Sequence, residues 1–155
     1  MEYGHSMQDQ EIILQVGVKV LLKNSDGNYL LMRSNPEKYP EKGGRWDIVG
    51  GRINPGTTLL ENLRREVKEE ANLDLIEIPK LVAAQDILRM PGRHVVRLTY
   101  IGSISGQPQM DEESMEWKWF SAEEITTLPV ENLDIYVKEL IDSGILVLNT
   151  SRGKL

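Results

Sequence analysis

The stretch that most constrains the fold runs from residue 50 to residue 73 and contains an uninterrupted helical pattern. A glycine pair and a Pro-Gly turn lead into TLLENLRREVKEEANL, which has no internal proline or glycine. The aliphatic residues that recur at the spacing of one helix face are Leu60, Leu63 and Val67. With Thr57 or Thr58 as its cap, this pattern predicts a helix from about Thr58 to Ala71. Asn72 follows, and asparagine tolerates the left-handed conformation in which many helices end.

Runs rich in aliphatic or aromatic residues lie on both sides of this helix and predict the strands of a sheet. The predicted strands cover 11–23, 29–33, 46–49, 73–88, 94–104 and 116–120, and further helices are predicted from Ser121 and over 132–143. The segment 34–45 is rich in proline, glycine and charge, and is expected to be an exposed loop. Together these elements predict one α+β domain over 11–150, with a mixed β-sheet and helices packed on it.

Composition limits the kinds of site that this chain can carry. Its 155 residues include no cysteine and only two histidines, so a zinc–thiolate site is excluded and any metal must be held by oxygen. The net charge of −6 at pH 7 argues against nucleic-acid binding, which rests largely on basic side chains. We therefore expect an anionic substrate to arrive with its own cation.

Hydropathy and the N-terminal residues indicate where the protein works. No stretch approaches the about 20 apolar residues that a membrane span needs, and the N-terminus lacks the apolar core of a signal peptide. We therefore expect a cytoplasmic protein without membrane contact. Residues 1–10 are expected to be disordered or derived from a tag, because they contain Gly-His-Ser-Met, which is typical of a cloning remnant.

Three glutamates of the predicted helix, Glu66, Glu69 and Glu70, share one face because residues three and four apart are neighbours on a helix. A hard divalent cation is the simplest way to offset their mutual repulsion. The alternative is a solvated helix face with weak ion pairs, which is the commoner origin of such a pattern. The preceding Gly50 and Gly51 favour the metal site, since a backbone carbonyl at this glycine pair can approach closely enough to join the ligands.

The segment 51–73 resembles the Nudix hydrolase signature, G-x5-E-x7-R-E-U-x-E-E-x-G-U, in which U is a bulky aliphatic residue. The matching residues are Gly51, Arg65, Glu66, Val67, Glu69, Glu70 and Leu73. Two positions depart from the signature, because Thr57 replaces the first glutamate and Asn72 replaces the glycine. In the family the first glutamate pairs with the arginine that matches Arg65, so we expect Thr57 to loosen the loop more than to disable the chemistry. Asn72 is compatible with a left-handed helix end.

This resemblance implies an α/β/α sandwich and hydrolysis of a phosphoanhydride bond in a nucleoside diphosphate linked to another group. It also implies Mg²⁺ or Mn²⁺ held by Glu66, Glu69 and Glu70. Glu113 matches the place where several family members carry a further carboxylate, and it is an additional candidate for catalysis and metal binding. The alternative for Glu113 is an acidic surface loop, and the rivals for its role are Glu112 and Glu116.

The substrate is less constrained than the reaction, and nucleoside triphosphates and nucleotide sugars stay open as alternatives. Family members that hydrolyse ADP-ribose often carry a proline where this chain has Leu88 and Arg89. The candidates for substrate binding are Trp46, Arg33 and Arg97, with a core tryptophan and solvated strand arginines as the alternatives. A Nudix-fold sensor that binds a nucleotide without cleaving it is the alternative function. A homodimer is a possible assembly because many relatives are dimers.

Overall fold

The computed structural model describes residues 11–38, 40, 43–109 and 115–146. Within these ranges the chain forms six strands and three helices. In chain order they are β1 (Ile13–Lys23), β2 (Tyr29–Ser34), β3 (Val49–Arg52), α1 (Leu59–Ala71), β4 (Lys80–Ile87), β5 (Arg93–Ser103), β6 (Met115–Phe120), α2 (Ala122–Thr127) and α3 (Ile135–Asp142). The strands predicted over 11–23 and 29–33 are present as the antiparallel pair β1 and β2, and the predicted helix is present as α1.

The strands form a mixed sheet in which β1 is central. Its main path runs β4-β5-β1-β2-β6, and β3 pairs with β1 beside this path. β1 and β5 are parallel along their whole length, whereas β3 runs antiparallel to the middle of β1. The register pairs Lys19 of β1 with Gly50 of β3, which places a lysine beside the glycine pair that precedes α1.

Hydrophobic side chains from both faces of the sheet form two separate clusters. On one face, the strands pack against Leu63, Val67 and Ala71 of α1. On the other face, they pack against Ile125 of α2 and Val137 of α3, among others. The result is the layered arrangement of helix, sheet and helix that the sequence predicted, because each element buries its apolar side against the sheet.

α1 begins and ends with the signals that its sequence predicted. The Thr58 hydroxyl accepts a hydrogen bond from the Glu61 backbone N–H over 3.0 Å, and the Glu61 carboxylate accepts one from the Thr58 N–H over 2.8 Å. This reciprocal pair is a capping box, which satisfies two of the free donors at the start of a helix. At the other end, Asn72 adopts a left-handed conformation with φ of 56° and donates its N–H to the Lys68 carbonyl.

Three predicted elements begin three or more residues away from their predicted first residue. The strand predicted over 46–49 is instead Val49–Arg52 and runs through the glycine pair, while Trp46 and Asp47 form isolated bridges. The strand predicted over 73–88 begins only at Lys80, because Pro79 has no N–H to donate to a sheet and the segment before it pairs through an isolated bridge between Leu75 and Ile104, just after β5. The last helix was predicted from residue 132 but begins at Ile135. Asp134 caps it by accepting hydrogen bonds from the backbone N–H groups at 136 and 137, and residues 130–132 form a separate 3₁₀ turn.

No helix within the described ranges is both long enough and apolar enough to cross a membrane. The extent of the domain over 11–150 and the character of residues 1–10 stay predictions, since the first ten residues and those after 146 lie outside the described part of the chain.

Candidate active site

The glycine pair of β3 lies against the acidic face of α1. A Cβ atom at Gly50, which has φ of 151°, would collide with the backbone carbonyl of Val18 in β1. A Cβ atom at Gly51 would stand 2.5 Å from Oε2 of Glu66. Glycine at both positions therefore allows β3 to pair closely with β1 and, at the same time, to accommodate a carboxylate from α1.

Glu66 is the most buried of the three predicted metal ligands, with only 7% of its surface exposed. Its Oε2 accepts a hydrogen bond from Nη1 of Arg65 over 3.0 Å. A buried carboxylate is stable only when it is paired or hydrogen-bonded, and Arg65 provides that partner. The guanidinium of Arg65 is itself anchored to β3, because its Nη2 donates to the backbone carbonyl of Arg52 over 3.2 Å.

Glu70 lies one turn beyond Glu66, and its Oε1 accepts a hydrogen bond from the backbone N–H of Gly50 over 3.2 Å. Burial raises the pKa of Glu70 to about 7, although Lys19 and the Gly50 N–H act in the opposite direction. The negative charges of Glu66 and Asp47 raise this pKa further. The environment of Glu70 therefore disfavours its ionised form mainly because the carboxylate is removed from water, and a cation bound beside it would offset that cost.

Glu69 occupies a different environment from the other two glutamates. Its side chain is 58% exposed, and its Oε1 lies 3.2 Å from the same Arg65 Nη1 that binds Glu66. Among the described residues, no three acidic or histidine side chains converge into a ready metal-binding group in this arrangement. The structure thus brings Glu66 and Glu70 together at the glycine pair, while Glu69 stands at the outer edge of the same helix face.

A partly buried charge network extends this acidic site along the sheet, and it includes residues that the sequence analysis did not single out. Lys19 donates from Nζ to Asp47 over 3.2 Å and to the Ile48 carbonyl over 3.0 Å. Arg97 contacts Asp47 over 3.4 Å and Asp134 over 3.2 Å. Lys19, Asp47 and Asp134 lie far apart in sequence, so only the folded sheet brings them together.

The two aspartates of this network are shifted in opposite directions. Burial alone would raise the pKa of Asp47, but the neighbouring Lys19 and Arg97 hold it below its ordinary value. Burial raises the pKa of Asp134, and the charge of Asp47 raises it further despite the contact with Arg97. Asp47 also acts on Glu70, because its negative charge raises the pKa of that glutamate.

The three predicted substrate-binding residues lie in distinct environments. Arg97 is 3% exposed and is committed to the aspartates of the network. Trp46 is buried and packs edge-to-face against Phe120 at 5.1 Å between ring centroids, which agrees with the alternative of a core tryptophan. Arg33 is more accessible, since its guanidinium stacks 4.8 Å from the Trp46 ring and its Nε donates to Glu116 over 2.8 Å.

Two adjoining cavities open beside the acidic site. The first, of 500 Å³, reaches Glu70 and is also lined by Arg33 and Arg45. The second, of 380 Å³, reaches Gly51 and is also lined by Tyr136. The side chains that line both cavities are Lys19, Asp47, Arg89 and Asp134. Three members of the charge network, Lys19, Asp47 and Asp134, therefore belong to the wall that the two spaces share.

Asn62, which the sequence analysis did not single out, connects Thr57 to Arg65. The Thr57 hydroxyl donates to the Asn54 carbonyl over 2.7 Å and accepts a hydrogen bond from Nδ2 of Asn62 over 2.7 Å. Asn62 in turn accepts from Arg65 over 3.0 Å. Thr57 is thus connected to the motif arginine through one buried amide, and the expected loosening of the loop stays a prediction.

The fourth predicted carboxylate cannot be placed. Glu113 and its rival Glu112 lie outside the described residues, in the gap between 109 and 115. The other rival, Glu116, lies on β6 and is paired with Arg33. The role of Glu113 therefore stays a prediction.

Comparison with known proteins agrees with this arrangement of a glycine pair and a glutamate-bearing helix. A family model described as the NUDIX domain matches residues 13–141. The chain belongs to the Nudix family. The match includes β1 to β6 and nearly all of α3, so it covers both cavities as well as the signature.

Curated relatives within the Nudix family include hydrolases of nucleotides. The chain is 30% identical over 133 residues to the 8-oxo-dGDP phosphatase NUDT18 of Danio rerio, a match that covers 83% of this chain and 37% of that protein. It is 28% identical over 116 residues to the nucleoside triphosphatase NudI of Escherichia coli, covering 67% of this chain and 80% of that protein. The chain therefore spans little more than a third of the first two curated relatives, which are 37% and 36% covered.

Solved Nudix structures superimpose well on this fold. A MutT protein from Methanosarcina mazei has a TM-score of 0.73 and 24% identity, with 86% of this chain and 94% of that chain covered. A MutT NUDIX hydrolase from Burkholderia pseudomallei has a TM-score of 0.68 and 26% identity, with 83% and 96% covered. These similarities confirm the Nudix fold that the signature predicted.

Proposed function

We propose that this Nudix protein is a divalent-metal-dependent hydrolase that cleaves a phosphoanhydride bond in a nucleoside diphosphate linked to another group. The observation that carries the proposal is the placement of Glu66 and Glu70 against the glycine pair, with the pKa of Glu70 raised to about 7. Perturbed carboxylates in a cleft are typical of functional sites. The names of the curated relatives, a phosphatase and a triphosphatase, support the same class of reaction.

The residues present fit a hard cation such as Mg²⁺ or Mn²⁺. Such ions prefer oxygen ligands, and the carboxylates of Glu66 and Glu70 both lie against the glycine pair. We propose Glu69, the Gly50 carbonyl and Glu113 as the further ligands. The bound cation would neutralise phosphate charge, lower the pKa of a bound water and align the displacement. Glu69 can contribute once its carboxylate exchanges its contact with Arg65 for the cation.

The two cavities suggest how the substrate lies relative to this cation. In the 380 Å³ cavity, the guanidinium groups of Arg89 and Arg97 lie 5.5 and 5.2 Å from the Tyr136 ring centroid, and the Asp134 carboxyl also lines the space. A planar base with hydrogen-bonding edges suits these groups. The 500 Å³ cavity presents Arg33 and Arg45 next to Glu70 and suits the phosphate chain or the second group.

We propose a nucleoside di- or triphosphate as the first substrate class to test, because both named curated relatives act on such compounds according to their names. Nucleotide sugars are the second class. We further propose that the protein works in the cytoplasm on small molecules rather than on nucleic acid or membranes, which the net charge of −6 supports. A homodimer is a proposal that rests on the family alone.

A substrate panel tests the proposed reaction. Purified protein is incubated with Mg²⁺ and, separately, with nucleoside triphosphates, oxidised and unmodified nucleoside diphosphates, nucleotide sugars, ADP-ribose and dinucleotides, and the products are separated by ion exchange. We expect cleavage of at least one phosphoanhydride, with a nucleotide product and no reaction in EDTA. Tight binding without turnover on any compound would instead support the sensor alternative.

A further inference from the structure

Asn62, on the second turn of α1, is a buried amide whose hydrogen-bonding capacity is fully used. Only 1% of its surface is exposed. Its Oδ1 accepts from the Asn54 backbone N–H over 2.9 Å and from Arg65 Nη2 over 3.0 Å. Its Nδ2 donates to the Thr57 hydroxyl over 2.7 Å and to the Thr58 carbonyl over 2.6 Å. One side chain thus connects the loop before α1, the helix cap and the motif arginine.

Arg65 forms hydrogen bonds both to Asn62 and to the glutamates of the acidic site. Its Nη1 contacts both Glu66, over 3.0 Å, and Glu69, over 3.2 Å, while its Nη2 contacts Asn62 and the Arg52 carbonyl. The planar guanidinium holds its donors in a rigid fork, so fixing Nη2 also fixes the direction of Nη1. The contacts that Nη2 forms therefore influence the positions of Glu66 and Glu69, two of the proposed ligands.

We propose that Asn62 is a positioning residue that substitutes for the signature glutamate missing at position 57. The signature places a carboxylate there to anchor the arginine, whereas this chain has Thr57, whose hydroxyl reaches Arg65 only through Asn62. The Asn62 amide holds Arg65, and Arg65 holds Glu66 in the geometry that binds the cation and keeps Glu69 beside it. The catalytic consequence rests on the proposed function, but the structural consequence for Arg65 does not.

The test compares Asn62→Ala with Glu61→Ala, a matched control that breaks the capping box at the same helix end without touching Arg65. Affinity for Mn²⁺ is measured by EPR, turnover by steady-state kinetics and stability by thermal melting. We expect Asn62→Ala to weaken Mn²⁺ binding and lower kcat about tenfold each with KM little changed, since supporting partners of metal ligands have effects of this order. Glu61→Ala should lower Tm but leave the Mn²⁺ affinity and kcat unchanged.

Adding Thr57→Glu to Asn62→Ala restores a carboxylate at the signature position, and we expect it to recover most of the lost Mn²⁺ affinity. If Asn62→Ala fails to fold, Asn62→Asp serves instead, because it keeps an oxygen that accepts from Arg65, replaces the donor to the loop by a second acceptor and adds a charge that Arg65 can pair. Asn62→Asp should retain Mn²⁺ affinity. Equal Mn²⁺ affinity in Asn62→Ala and Glu61→Ala, or a tenfold loss in Asn62→Asp, would overturn the proposal.

A metal-free readout separates this proposal from the proposed function. By NMR, the guanidinium protons of Arg65 should exchange slowly with water in the wild type and in Glu61→Ala, and quickly in Asn62→Ala. If the wild-type chain neither binds Mn²⁺ nor hydrolyses any nucleotide, the proposed function fails while the exchange result still decides the anchoring of Arg65. Unchanged exchange in Asn62→Ala would overturn the anchoring itself.

Discussion

Gly51 lies so close to the Glu66 carboxylate that a methyl group added at position 51 would force the carboxylate to move. A Cβ atom at Gly51 would lie 2.5 Å from Oε2 and 2.9 Å from Cδ of Glu66, distances at which the carboxylate must move. The conformation of Gly51 itself is not the obstacle, since its φ lies outside the left-handed region. The glycine of the signature is therefore explained here by the space that the Glu66 carboxylate occupies.

We predict that Gly51→Ala displaces Glu66 and weakens Mn²⁺ binding by about tenfold or more, the effect expected when the surroundings of a metal ligand are disturbed. Mn²⁺ affinity by EPR and urea unfolding would be measured on the same preparation. Gly17→Ala on neighbouring β1 is the control, because its Cβ would meet the Gly51 carbonyl at an ordinary 3.5 Å. Equal Mn²⁺ affinity in both variants would contradict the role assigned to the Gly51–Glu66 contact.

The raised pKa of Glu70 predicts how the stability of the metal-free protein depends on pH. Burial raises this pKa from 4.5 to about 7, so the folded state holds a proton that the unfolded state has already released in this interval. Stability therefore falls as the pH rises from about 4.5 to about 7, by roughly 3 kcal/mol from this one group. Urea unfolding in EDTA at several pH values measures this dependence.

Glu70→Gln isolates this contribution from that of other titrating groups. Relative to the wild type, the variant should gain roughly 3 kcal/mol of stability between pH 4.5 and pH 8, because its amide does not ionise. Glu123→Gln on α2, an exposed position, reports the general effect of removing one carboxylate. A wild type and a Glu70→Gln variant with parallel pH profiles would rule out a buried, proton-binding Glu70.

Arg97 is predicted to be a structural cation more than a substrate ligand. It is 3% exposed and lies between the Asp47 and Asp134 carboxylates, so its removal leaves buried negative charge unpaired. We expect Arg97→Met to lower the free energy of unfolding by about 3–5 kcal/mol, the usual cost of breaking a buried pair. Chemical denaturation at pH 7 measures the change.

Arg33→Ala is the matched comparison, because Arg33 forms an ion pair with a Glu116 side chain that is 52% exposed. Exposed pairs contribute about 1 kcal/mol or less. Arg33→Ala should therefore leave stability nearly unchanged and raise KM, since Arg33 lines the cavity next to Glu70. A small stability loss in Arg97→Met, similar to that of Arg33→Ala, would show that the network does not depend on Arg97.

Most of the fold was predictable because its signals are local. The spacing of Leu63 and Val67, the capping threonine and the closing Asn72 lie within one segment, and the structure confirms α1. The strand predicted from residue 73 was wrong at its start because apolar residues such as Ile76 and Ile78 satisfy a strand pattern while remaining exposed. Whether such a segment pairs with a neighbour depends on the backbone of β5, which is distant in sequence.

The candidate site was predictable only as far as the signature extends. Lys19, Asp47 and Asp134 belong to three separate segments, and their meeting depends on the register of the sheet and the cap of α3. The one signal in the sequence was Lys19, a charged residue inside the apolar run of β1. In the structure its neighbours Val18 and Val20 are fully buried. Asn62 carried no signal, because an asparagine in a polar helix face reveals neither burial nor partners.

The proposed metal site is tested most directly by the metal dependence of nucleotide hydrolysis in the wild type, Glu66→Gln and Glu70→Gln. Turnover of the best nucleoside di- or triphosphate is measured across a Mg²⁺ titration and in EDTA, with thermal melting as the check on folding. We predict that the wild type requires Mg²⁺ and that both variants lose turnover by orders of magnitude while still melting cooperatively. Near-full activity in both variants, or undiminished hydrolysis in EDTA, would contradict the assignment of this glutamate cluster as the catalytic metal site.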